Sequence, residues 1–121
     1  MRLKRAKCIA PILLLLTMAV APAAEVSIHS ITADPSSFDH QPVALQGTAV
    51  AVKETTSQRG NDYTTFKLQD GGDSVSIFSW GHPTLGNGDR VRVEGVFERE
   101  HHQGRYTFYN EVEANKVIPL H

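Results

Sequence analysis

The chain has 121 residues, one cysteine and a net charge of −1, from 12 Lys and Arg against 13 Asp and Glu. That length holds one small domain, and that balance excludes the general cationic excess of a protein that grips nucleic acid over its whole surface. A single cysteine excludes an internal disulfide and a multi-thiolate metal site.

Residues 1–23 read as a secretory signal peptide. MRLKRAK is basic, CIAPILLLLTMAV is a short apolar run, and Ala21-Pro22-Ala23 supplies small residues at a cleavage site. The apolar run is shorter than the roughly 20 residues a bilayer span needs. The alternative is an uncleaved N-terminal anchor. Cys8 follows Ala6-Lys7, which is not the setting of a lipoprotein cysteine. Cleavage removes Arg2, Lys4, Arg5, Lys7 and Cys8, leaving 8 cations against 13 acids and a cysteine-free domain of net charge −5. The expected product is exported, periplasmic or secreted, with no stable membrane insertion.

Residues 24–42 form a lead-in. Asp34-Pro35-Ser36-Ser37 is a turn or helix-start signal, and His40-Gln41-Pro42 restarts the chain in extended form. From there the signal is almost all strand. Five are predicted, at 43–54, 62–70, 74–80, 89–100 and 105–118. Asp70-Gly71-Gly72-Asp73 reads as a tight hairpin turn between the second and third. GHPTLGNG (81–88) is a connector and HHQG a loop. No helical run of useful length is evident. Gly47 and Gly95 interrupt apolar alternation in the two long strands, as at a bulge or a barrel bend. The expected fold is all-β, a five-stranded Greek-key barrel over 43–121, with an open sheet or sandwich as the alternative.

The ordered set VALQGTAVAV (43–52), YTTFKLQD (63–70), GDRVRVEG (88–95) and NEVEA (110–114) resembles the OB fold. It is most similar to nucleic-acid-binding OB domains of the tRNA-anticodon type, in an exported bacterial version. The resemblance covers about 43–118 and implies a ligand surface on the outer face of the second and third strands, flanked by the 1–2 and 4–5 loops. Alternation places Phe66 and Leu68 inward, with Tyr63, Thr65, Lys67 and Gln69 outward. Ser76, Phe78 and Trp80 are outward on the next strand. The loops add Lys53, Arg59, Arg105 and Tyr106, with His101 and His102.

Rings interleaved with cations suit unpaired bases, which stack for about 1–3 kcal/mol each. They also suit an oligosaccharide, and the face could equally meet a small molecule or a protein partner. The competing expectation is that the lead-in or the 81–88 connector covers Phe78 and Trp80. Exposure of Tyr63 and Trp80 decides between these.

His101-His102 beside Glu98 and Glu100 suggests a metal only superficially, because adjacent strand residues point to opposite faces. His102 to Tyr106 spells H-x-x-x-Y, a pattern of the periplasmic OB-fold haem chaperone of cytochrome c maturation. Here it falls between the fourth and fifth strands instead of beyond the barrel, and is set aside as coincidence. No G-x-S-x-G, phosphate-cradling loop or placed carboxylate pair is evident, so no enzyme, cofactor or metal is expected.

Overall fold

The computed structural model describes residues 23–120. The expected signal segment lies outside the described residues, apart from Ala23. Among the described residues no helix is long and apolar enough to cross a membrane.

A six-stranded sheet carries the chain. Its members are β1 (Ala24–Glu25), β2 (Gln41–Thr56), β3 (Asp62–Asp70), β4 (Asp73–Trp80), β5 (Arg90–Gln103) and β6 (Tyr106–Pro119). Five correspond to the predicted strands, and the two-residue β1 is additional, parallel to β2. The order is β1-β2-β3-β4-β6-β5, and β2 also pairs with β5. The ladders β2–β3–β4–β6–β5 therefore return to β2. That strand serves two partners in turn, β5 along Gln41 to Thr48 and β3 along Thr48 to Thr56.

Glycine permits the bends. A Cβ on Gly47 would lie 2.5 Å from the Gln69 carbonyl oxygen on β3. Gly95 sits where the β5–β6 register shifts, against the Glu113 and Ala114 backbone. A second irregularity interrupts the β2–β3 register between Val50 and Lys53, where Ala51 takes φ 54°. There the Val52 amide leaves the ladder and donates to Asn87 Oδ1 at 2.8 Å.

The inner face is apolar. Val43, Leu45, Leu68, Ile77, Val91, Val93, Phe97 and Val112 are fully buried, each from the alternating inward positions of its strand. Asp70 pairs with Asp73 across Gly71-Gly72, so the predicted hairpin turn is present.

The lead-in departs from expectation by containing a helix, α1 (Ile28–Ala33). Ser27 caps it, its hydroxyl accepting from the Ser30 amide at 3.0 Å. Ile28 and Ile31, three residues apart on one helix face, are buried in the core. Burial of each contributes about 1.5–3 kcal/mol. Asp73 ties the helix down, meeting His29 Nδ1 at 3.1 Å and Thr32 Oγ1 at 3.2 Å. A short 3₁₀ turn, Pro35–Phe38, begins at the predicted start signal and leads into β2. The 81–88 connector holds no helical turn.

His101 and His102 are also differently placed from the sequence expectation. They belong to β5 instead of a loop, and the reversal is at Gly104-Arg105. The paired Glu-His sequence continues the ladder, with His101 opposite Phe108 and His102 opposite Thr107.

Candidate ligand groove

Strand alternation puts Tyr63, Thr65 and Lys67 of β3 and Ser76, Phe78 and Trp80 of β4 on the outer face. The register sets Tyr63 opposite Trp80 and Thr65 opposite Phe78. The three rings consequently form one cluster. Tyr63 stacks on Phe78 with centroids 5.2 Å apart, and Trp80 meets Phe78 edge-on at 4.9 Å. Such pairs contribute about 0.5–1.5 kcal/mol beyond area burial, so the platform is held before any ligand arrives.

The platform is open. Trp80 is 47% exposed, with Tyr63 and Phe78 half-buried against each other. The lead-in helix is anchored at Asp73, the opposite end of the β3–β4 ladder from the Tyr63–Trp80 pair. The connector is also diverted. Gly81 N–H donates to the Asp62 carbonyl, and Thr64 Oγ1 donates to the Gly81 carbonyl at 2.9 Å. Leu85 then packs against the core and Gly88 N–H donates to the Ala49 carbonyl. Neither segment covers the rings.

A groove of about 810 Å³ runs over this face. Lys53, Ser57 and Arg59 come from the β2 end and its loop, and Gly104, Arg105, Tyr106 and Phe108 from the β5–β6 hairpin. Of the nine sequence-predicted site residues, Lys53, Arg59, Tyr63, Thr65, Phe78, Trp80, Arg105 and Tyr106 line it together. Lys67 does not: it is exposed further along β3, opposite Ser76. Three cations therefore meet one acid, Glu111, along the walls. The groove is locally cationic although the whole chain is not.

Seven lining residues were not among the nine predicted, Phe108 and Glu111 of β6 with them. Phe108 and Glu111 flank Asn110, which takes φ 53° within β6. A left-handed residue kinks a strand, and Asn tolerates that conformation better than most. Beyond it, Tyr106 and Phe108 share one side of the hairpin with rings 6.5 Å apart. After it, Glu111 and Val112 are buried consecutively, which simple alternation forbids. Val112 enters the core, whereas Glu111 lies on the outer side, opposite Ser76 of β4 and Glu98 of β5. An Asn before a Glu-Val pair was the only sequence signal available.

Burial in the groove floor pushes the Glu111 carboxyl above its ordinary value. His101 opposes that rise, and Glu113 and Glu98 add to it. Glu98 has its own partner, His101 Nδ1 at 2.9 Å. His102 turns the other way, to Glu100 at 2.7 Å and Thr107 at 3.0 Å. Among the described residues no group of three or more His, Cys, Asp and Glu is placed to hold a metal ion.

No family model matches this chain, and no curated protein matches it. Solved structures do. A Leishmania major protein assigned as an aspartyl-tRNA synthetase aligns over 91% of this chain and 23% of its own, with TM-score 0.60 and 14% identity. Yeast Stn1 and Ten1 align over 82% of this chain and 63% of theirs, with TM-score 0.62 and 13% identity. The second OB-fold domain of replication protein A from Methanococcus maripaludis aligns over 68% and 86%, with TM-score 0.50 and 16% identity. The chain spans about a quarter of the synthetase and under two thirds of the Stn1–Ten1 match. At these identities the likeness is one of fold, and the fold is that of an OB domain.

Proposed function

We propose that this chain is a non-enzymatic OB-fold binding module, a small barrel that holds a short single-stranded nucleic acid in the groove over β3 and β4. The observation that carries the reading is the uncovered Tyr63–Phe78–Trp80 cluster with Lys53, Arg59 and Arg105 around it. Bases stack on such rings whatever their sequence, and the rim cations track the phosphates. The names of two structural neighbours, a tRNA synthetase and replication protein A, lend support from proteins of the same fold.

Binding is weak by design of its charge. Three rim cations release few counterions, so the affinity falls gently with salt, with a slope on the order of −2 for a single strand. The basic, apolar and small-residue sequence of 1–23 supports an exported location. In that compartment the module meets its ligand outside the cytoplasm.

Trp80 is the chain's one tryptophan and stands in the groove, so its fluorescence reports occupancy directly. Titration with a thymidine oligonucleotide at low salt is expected to quench it. A silent titration overturns the nucleic-acid reading. Quenching by an oligosaccharide instead reassigns the aromatic platform to a glycan, whose hydroxyls Thr65 and Asn61 would meet.

A further inference from the structure

Glu111 is the one acid lining the groove, and it is 7% exposed. It is buried outside the core, on the outer side of the sheet, where Ser76 lies across one ladder and Glu98 across the other. Directly opposed like charges are unfavourable in a sheet. Glu98 is relieved by His101. Among the described residues no side-chain hydrogen bond holds the Glu111 carboxylate, and His101 acts on it as a nearby charge. A buried carboxylate left without donors costs more than a hydrophobic replacement would. Nothing in the core uses this group. It lines the groove together with the rings of Tyr63, Phe78, Trp80, Tyr106 and Phe108.

Resting on the nucleic-acid reading of the same groove, we infer that Glu111 gives the site a base preference, accepting hydrogen bonds from the Watson–Crick edge of a guanine stacked on the aromatic platform. The chemistry selects among bases. A carboxylate presents two acceptors side by side and no donor. Guanine presents N1–H and the N2 amino group side by side, so both oxygens are used. Adenine and cytosine offer one amino group each, flanked by an acceptor. Thymine sets its single N3–H between two carbonyls, which repel the carboxylate. Single strands are open to reading on this edge because their bases are unpaired. The groove then divides its labour. Tyr63, Phe78 and Trp80 bind any base, the cations bind any backbone, and Glu111 alone distinguishes.

The test compares an all-thymidine oligonucleotide of about eight nucleotides with the same strand carrying one central dG or one central dI. Binding is followed by Trp80 fluorescence on the full purified protein. The dG strand is expected to bind about tenfold more tightly than all-thymidine, the scale of a good bidentate base contact. Inosine lacks the N2 amino group and should fall between them. Glu111→Gln offers one acceptor and a clashing donor, and should erase the dG preference, so that the dG and all-thymidine strands bind this variant equally. Equal binding of all three strands by the unsubstituted protein overturns the inference and leaves the nucleic-acid reading standing. A dG preference that survives Glu111→Gln also overturns it. If no strand binds at all, both readings fall together. The inosine arm needs no variant, so the result does not depend on how Glu111→Gln folds.

Discussion

Tyr63 on β3 and Phe78 on β4 stack at 5.2 Å with an interplanar angle of 21°, although neither faces the other directly across the ladder. They are diagonal neighbours, and their contact leaves Trp80 to stand edge-on beside Phe78 with nearly half its surface in solvent. The arrangement braces two rings and presents the third.

Trp80→Ala therefore separates binding from stability. Loss of one stacking surface should weaken oligonucleotide binding by roughly tenfold. Thermal melting should shift little, because the side chain is not part of the buried core. Binding of this variant is followed by anisotropy of a labelled strand, since the intrinsic fluorophore is gone.

The rim cations should differ in a measurable way. Replacing Arg59 or Arg105 with Gln is expected to reduce the salt slope by about 0.7 each, the contribution of one single-strand phosphate contact. Lys67→Gln should leave the slope unchanged, because Lys67 does not line the groove. Salt titrations of the three variants check this, and a Lys67 effect equal to the others would show that the ligand follows β3 beyond the groove.

Glu111 makes stability depend on pH. Its folded-state carboxyl lies above the ordinary value of 4.5. A carboxyl raised by folding favours the native state while protonated, and that contribution is lost as pH rises through the folded value. Glu111→Gln, which never ionises, should thus melt higher than the unsubstituted protein at pH 7, by about 4–8 °C for each kcal/mol gained. The gap should close as pH falls below 4.5. Melting curves at pH 7 and pH 4 measure both ends.

Two substitutions test the frame itself. Ile31→Ala removes a buried side chain of the lead-in helix and should cost about 2–5 kcal/mol. Gly47→Ala forces a methyl against the Gln69 carbonyl, where β2 and β3 approach too closely to admit it, and should cost about 1–3 kcal/mol. Chemical denaturation of each variant gives the values.

The strands were readable in the sequence because their alternation is strict. Phe66 and Leu68 against Tyr63, Thr65 and Lys67 leaves one solution for the β3 faces, and the register with β4 follows from the Gly71-Gly72 turn. The helix was not readable. Ile28, Thr32 and their neighbours favour extended backbone, and six residues hold too few turns for a periodic pattern. Tertiary burial of Ile28 and Ile31 decides that segment. The loop residues of the site were found through the family resemblance, and eight of nine converge on one groove. Glu111 was hidden because period-two counting fails at a kink, and the φ of Asn110 cannot be read from its identity.

β2 gives hydrogen bonds to β5 along one half and to β3 along the other. Peeling away either neighbour unseats the strand that holds the second, so the sheet has no half that can open on its own. Amide exchange at Val43 to Ala49 should accordingly occur only through global unfolding, at the slowest rate in the molecule. The β5–β6 arm past Asn110 is paired only within itself and should exchange early. One wall of the groove is then expected to open while the floor beneath it stays fixed.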